Sequence, residues 1–313
     1  MRVLFYGTPD FAVPSLMALV GEGFDVAAVV TRPDQPTGRH RSTATPSPVK
    51  LAALAEEIPV FEPVQPNDEV FIAQARALAP DIGVVVAYGH ILKPALLAVP
   101  RLGSYNVHAS LLPKLRGAAP IERAILEGLT ETGVSIMRME AGLDTGPVLH
   151  VAGTPVPDDE TGGELRVRLA EIGALALVEA LTLLDEAGID PKPQDHAQAT
   201  HAPKLTREEE RIDWALGADQ VARKIRAFDP KPGAWTEIRG KAVKLFGARR
   251  AMGNGQWAMG NPPGTVLAVG DSISIACGEG AIDVMDVQPS GKARMTAKAF
   301  VNGRGIAVAD VLT

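Results

Sequence analysis

Two textures alternate along the first part of the chain. Short runs at Arg2–Tyr6, Val26–Val30 and Ile82–Ala87 are almost wholly apolar. Near-continuous runs of this kind predict strands covered on both faces of a parallel sheet. Between them, segments with helical spacing run to about Val20 and across Val49–Glu57 and Asp68–Ala79, with a short strand at Pro59–Phe61. Strand, turn, helix and strand in this order predict a doubly wound, mostly parallel α/β sheet of Rossmann-like form. A helix over Pro120–Gly128 and strands over Thr132–Met139 and Val148–Val156 extend it. Thr161-Gly162-Gly163-Glu164 has capping-box spacing. After it Leu165, Leu169, Ile172, Ala176, Ala180 and Leu184 recur at helical period up to Gly188, and that helix closes a first domain over residues 1–188. Residues 189–206 are polar and proline-rich and read as an extended linker. A helix over Ala218–Phe228 follows, then short β-type runs separated by glycine turns, from Trp235 to Val287. Their spacing predicts a small antiparallel β-barrel within residues 207–313.

One stretch carries candidate chemistry. Ser104 to His108 reads as a strand, so Asn106 and His108 share a face while Tyr105 and Val107 point the other way. A Pro- and Gly-rich loop then leads to Pro120, a favoured residue for a first helical turn. A carboxamide can donate to an oxyanion, and an imidazole can move a proton. A turn-capping Asn and a satisfied core His fit the same pattern. Downstream, Asp144 lies in Gly142-Leu143-Asp144-Thr145-Gly146, where an Asx-turn and a catalytic carboxylate both fit. The loop Tyr88-Gly89-His90-Ile91-Leu92 leaves the carboxyl end of a central strand, where such sheets bind ligands. The first turn, Gly7-Thr8-Pro9-Asp10-Phe11, lacks the G-x-G-x-x-G dinucleotide fingerprint.

Charge divides the chain. Residues 1–203 hold 15 Lys and Arg against 25 Asp and Glu, and residues 204–313 hold 16 against 12. A polyanionic substrate held by the second half fits this division, and so does a mixed solvated surface. Thr31 to Pro48 forms a long connection with Arg32, Arg39, His40 and Arg41 against one acid, Asp34. It reads either as a solvated excursion or as an arm that meets phosphates. Mobility and tryptic cleavage at Arg39 and Arg41 are expected of the free loop. The single cysteine, Cys277, excludes an intrachain disulfide framework and a cysteine-built zinc site. Neither a signal-peptide pattern nor an apolar run of the roughly 18 residues a span requires is found. A cytoplasmic protein without a membrane segment is the expectation.

At Asn106-Val107-His108 with Ser110-Leu111-Leu112-Pro113, and again at Gly142 to Gly146, the chain resembles the 10-formyltetrahydrofolate-dependent formyltransferases. Gly7 to Phe11, Pro46-Ser47-Pro48-Val49-Lys50, Arg116-Gly117-Ala118-Ala119-Pro120-Ile121, Arg211-Ile212-Asp213-Trp214 and Gln288-Pro289-Ser290-Gly291-Lys292 resemble the branch that modifies methionyl-tRNA. The long loop, Gly38-Arg39-His40-Arg41-Ser42-Thr43, departs from that branch in being poor in lysine. The resemblance implies that Asn106, His108 and Asp144 are catalytic. It implies that Ser110, Leu111, Leu112 and Pro113, with Tyr88, Gly89, His90, Ile91 and Leu92, contact 10-formyltetrahydrofolate, and that no metal takes part. Initiator methionyl-tRNA is the implied partner of a monomer, with Arg39, Arg41, Arg223 and Lys224 as its contacts. Direct transfer without a covalent enzyme intermediate is the implied reaction. A formyltransferase acting on a sugar amine or a purine precursor, and a catalytically idle tRNA- or folate-binding protein, are the alternatives.

Overall fold

Buried β-branched runs dictate the first sheet. In the computed structural model, which describes residues 1–36, 44–186, 188–251 and 260–313, the chain opens with β1 (Arg2–Gly7), α1 (Val13–Gly21) and β2 (Asp25–Val30). There follow β3 (Gln35–Pro36), β4 (Ala44–Thr45), α2 (Pro48–Ala55), β5 (Val60–Phe61), α3 (Glu69–Ala77) and β6 (Ile82–Val86). Next come α4 (Pro94–Leu97), β7 (Ser104–His108), β8 (Arg116–Gly117), α5 (Pro120–Leu126), β9 (Glu131–Arg138) and β10 (Val148–Pro155). The long α6 (Gly162–Glu186) and the short β11 (His201–Ala202) complete this half.

Seven of these strands form one sheet in the order β10-β9-β7-β6-β1-β2-β5. The strands from β5 to β7 run parallel, and β9 and β10 are added antiparallel beside β7. All five residues of β6 are buried, as expected of a strand covered on both faces. Helix starts follow local chemistry. The Ser47 side chain accepts from the Lys50 amide at 3.1 Å, and Asp68 accepts from the Phe71 amide at 2.7 Å. At the start of α6, Thr161 and Glu164 satisfy each other's amides, at 2.9 and 3.2 Å, as a capping box.

Two compact units emerge, and their boundaries differ from the sequence expectation. The first contains residues 1–120, 131–155 and 166–202; the second contains 121–130, 156–165 and 203–313. The stretch from 189 to 202 therefore belongs to the first unit. Hydrogen bonds hold it there: Val148 and Lys192 exchange a pair at 2.8 Å, and β11 runs parallel to β8. Proline and polar composition made it resemble a free linker, because its partners lie far away in sequence.

The second unit contains α7 (Ala218–Ala227), β12 (Trp235–Ile238), β13 (Lys241–Arg250), β14 (Val266–Val269), β15 (Ile273–Ala276), β16 (Ala281–Pro289), β17 (Met295–Thr296) and α8 (Ala297–Asn302). Its antiparallel sheet has the order β12-β13-β16-β15-β14, with β17 on β16. The carboxy-terminal residues connect the two sheet edges. Leu312 bridges to Ile238 at the end of β12, and Val311 bridges to Thr265 just before β14. A barrel texture results without a final strand.

Candidate functional site

β7 presents the central pair. Asn106 is the only one of its five residues that is not buried, consistent with a side chain facing open space at the carboxyl end of the sheet. Asn106 pairs with Val85 of β6 on one side and Met137 of β9 on the other. It lies within a strand, so the turn-capping reading does not apply. His108 is 5% exposed, and its Nε2 lies 3.0 Å from the Leu115 carbonyl. A carbonyl can only accept, so Nε2 carries a proton. Nδ1 faces Asp144 Oδ2 at 3.7 Å, too far for a hydrogen bond. The ring is thus anchored by one nitrogen and open at the other.

Asp144 is held by a distant amide rather than by its own turn. Its Oδ2 accepts from Gly117 N at 2.9 Å. Asp144 itself takes φ 51, while its glycine neighbours Gly142 and Gly146 do not have positive φ. Asp tolerates this left-handed region better than most residues. Gly146 serves space instead, since a Cβ there would run into the Arg138 carbonyl. Gly117 serves both needs: φ is 126, and a Cβ would lie 2.6 Å from the Ala202 carbonyl.

The turn after β7 is pinned from within. Ser110 is fully buried, and its hydroxyl donates to the Lys114 carbonyl at 2.6 Å. Ser135, directly across from His108 on β9, donates to the Ser110 carbonyl at 2.7 Å and accepts from the Leu112 amide at 3.0 Å. Leu111, Leu112 and Pro113 remain half-buried. At the neighbouring strand end, Tyr88 packs edge-on against Tyr6, with ring centroids 5.5 Å apart. Burial pushes the Tyr88 hydroxyl up to about 12. The backbone loop is fixed by Thr8, which donates to the Tyr88 carbonyl at 3.0 Å, and by Asn67, which donates to the Ile91 carbonyl at 2.8 Å. Gly89 takes φ 84, His90 is half-buried, Ile91 is 85% exposed and Leu92 turns inward. Desolvation, and then the Arg32 charge, hold the His90 imidazole below its ordinary value.

The expected tRNA contacts fall in three places. Arg39 and Arg41 lie outside the described residues. Lys224 is committed: its ammonium donates to the Arg211 carbonyl at 2.9 Å, and burial holds it below its ordinary value. Arg223 differs. Within the second unit it lines a cavity of about 560 Å³ with Arg226, Arg249 and Arg250, opposite Asp158, Asp159 and Asp219. Its Nε is buried without a hydrogen-bond partner among the described residues. Among the described residues, no group of three or more His, Cys, Asp or Glu side chains could hold a metal ion, and no helix is long and apolar enough to cross a membrane.

Sequence reading missed Ser135 and Gln194. Ser135 sits in a strand whose alternation is weak, so its inward hydroxyl carried no signal. Gln194 lies in the stretch read as linker, yet it is 8% exposed and touches the Asp144 loop. Its position amid prolines and charged residues concealed it.

Comparison with known proteins shows the family. Residues 1–181 match the formyl transferase family, and residues 204–305 match the formyl transferase C-terminal domain. The chain is similar to methionyl-tRNA formyltransferase of Stenotrophomonas maltophilia (strain R551-3), 50% identical over 97% of this chain and 98% of that protein. The corresponding protein of Methylococcus capsulatus is 45% identical over 98% of each chain. Among solved structures, methionyl-tRNA formyltransferase from Clostridium thermocellum has a TM-score of 0.58 at 15% identity, over 82% of this chain and 95% of that one. HypX from Aquifex aeolicus in complex with tetrahydrofolic acid has a TM-score of 0.66 at 20% identity, over 97% of this chain and 47% of that one. At these identities the two structures speak for the fold.

Proposed function

We propose a function from one premise: the chain belongs to the methionyl-tRNA formyltransferase family. It transfers the formyl group of 10-formyltetrahydrofolate to the α-amine of methionine carried by initiator tRNA, in the cytoplasm. The observation that carries the reading is the convergence of Asn106, His108 and Asp144 at one strand end, with Nδ1 of His108 open beside the Asp144 carboxylate.

The amine adds to the formyl carbon and places negative charge on the formyl oxygen; the bond from that carbon to N10 of the folate then breaks, and the proton lost by the amine balances the one N10 takes up as tetrahydrofolate leaves. The Asn106 carboxamide is the donor that meets the oxygen. The anchored ring of His108 presents Nδ1 to the reacting centre. Asp144, held by the Gly117 amide, stabilises a proton that arrives there. Tyr88 to Leu92 and Leu111 to Pro113 line the place for the folate. The Tyr88 and Ile91 carbonyls and the Leu112 amide are already tied to the protein by Thr8, Asn67 and Ser135, so the ligand meets a preset backbone and little ordering is left to do on binding. Cys277 takes no part, because burial pushes its thiol up to about 12 and leaves no thiolate near neutral pH.

For the tRNA, the guanidiniums of Arg223, Arg249 and Arg250 supply phosphate contacts in the second unit, and Arg39 and Arg41 supply them from the long loop. The partly unpaired Arg223 supports this division. An acceptor competition tests the reading. Labelled formyl-tetrahydrofolate is offered together with methionyl initiator tRNA, an amino sugar nucleotide and a ribosylated glycine amide. Label entering the tRNA alone is the expected result; label entering either small amine would replace the reading.

A further inference from the structure

The stretch between the two family matches, residues 182–203, contains a side chain wired to the reaction site. Gln194 uses all four of its hydrogen-bonding positions. Its Nε2 donates to the carbonyls of Asp144, at 2.9 Å, and Gly146, at 2.6 Å. Its Oε1 accepts from Nε and Nη2 of Arg116, at 3.1 and 2.6 Å. Arg116 is 6% exposed, and its Nη2 also lies 3.1 Å from His196 Nδ1. The residues on either side of Arg116 are the supports of the pair: Leu115 anchors the His108 ring, and the Gly117 amide holds Asp144. One carboxamide therefore ties the loop that bears Asp144 to the loop that fixes His108.

We propose that Gln194 is a positioning residue of the formyl-transfer site, setting where the Asp144 carboxylate stands against Nδ1 of His108. The inference rests on the trio assigned above. Asp144 sits at φ 51, in the left-handed region that Asp tolerates, and the contacts from Gln194 to the carbonyls of Asp144 and Gly146 fix the backbone there. The 3.7 Å gap between Oδ2 and Nδ1 is then a feature of the strut, and relaxing it by an ångström misplaces the charge. The bridge between Val148 and Lys192 and the β8–β11 ladder hold the strut's own backbone in place. The first unit thus ends functionally beyond Gln194, not at the end of α6.

Two variants and one background test this. Gln194→Leu removes every contact. Gln194→Glu keeps an acceptor for Arg116 but turns an oxygen toward two carbonyls. Each should lower kcat about ten- to a hundred-fold, the scale of a small misplacement, with KM for folate and for methionyl-tRNA changed less than about threefold. Introduced into Asp144→Asn, Gln194→Leu should add less than about twofold, because the two act on one function. Hydrogen exchange at the Gly117 amide should quicken about tenfold in Gln194→Leu, with the global melting midpoint kept. A wild-type kcat in both variants, the same fold loss in the Asp144→Asn background as in the wild type, or an equally protected Gly117 amide would each overturn the proposal. If the unaltered chain formylates no methionyl-tRNA, the functional reading fails instead, and the exchange experiment still decides the strut.

Discussion

Two regions of this chain hold polar groups in opposite ways. At the end of β7 nearly every group has a single buried partner: Leu115 for His108, Gly117 for Asp144, Ser135 for the Ser110 turn. In the cavity of the second unit, four guanidiniums face three carboxylates, and the Arg250–Asp219 pair stays 70% and 62% exposed at 3.4 Å. The contrast follows from the work each region does. A group that acts in a transition state must stand in one place, so its surroundings are over-determined. Phosphates of a polyanion are met by charge, which tolerates slack and is screened by salt. The first region should therefore respond to substitution by large losses in rate. The second should respond by modest losses in affinity.

The largest effect belongs to the central pair. Asn106→Ala should lower turnover by about 10² to 10³, the cost of removing one oxyanion donor, and His108→Ala by about 10² to 10⁴, the scale of a lost general base, while equilibrium binding of folate stays within a few-fold. Turnover near wild type in a folded variant would remove that residue from the machinery. Ser135→Ala comes next. It leaves the Leu112 amide unpaired in a buried turn and should cost about 1–3 kcal/mol of unfolding free energy. Urea titration measures it, and a change within error would show that water replaces the hydroxyl.

Smaller still is the effect expected in the basic cavity. Arg223→Ala should weaken tRNA binding and lower the slope of log affinity against log salt by about one, with folate binding untouched. An unchanged slope would take Arg223 out of the phosphate contacts. The smallest effect concerns Cys277. Its thiol, pushed up to about 12 by burial, is protonated at pH 8 and should resist alkylation until the chain unfolds, and Cys277→Ala should leave turnover unchanged. Rapid modification of the native protein would contradict that environment.

Much of the first region was legible in sequence because its signals are local. A five-residue strand with Asn and His two apart fixes which side chains share a face. An apolar run such as Ile82–Val86 announces a covered strand. The capping-box spacing from Thr161 to Glu164 marks the start of a helix. What stayed illegible depends on contacts far apart in the chain. Gln194 reaches Asp144 across 50 residues, and Ser135 reaches Ser110 across 25. At the turn of Gly142 to Gly146, Asp144 takes the positive φ and Gly146 yields room, which the motif alone does not tell. In the second region, Arg223 and Lys224 stood alike as expected tRNA contacts. Their partners separate them: the Lys224 ammonium donates to the Arg211 carbonyl, whereas Arg223 lines the cavity with its Nε unpaired among the described residues. Composition records charge and not direction.

Single-turnover formyl transfer tests the central claim most directly. Enzyme in excess over methionyl initiator tRNA is mixed with saturating 10-formyltetrahydrofolate, and the rate of label transfer is compared between the unaltered chain and Asp144→Asn. The account expects transfer by the unaltered chain, and a loss in Asp144→Asn of about 10² or more in the chemical step, with folate and tRNA bound as before. Equal rates in the two proteins would contradict it.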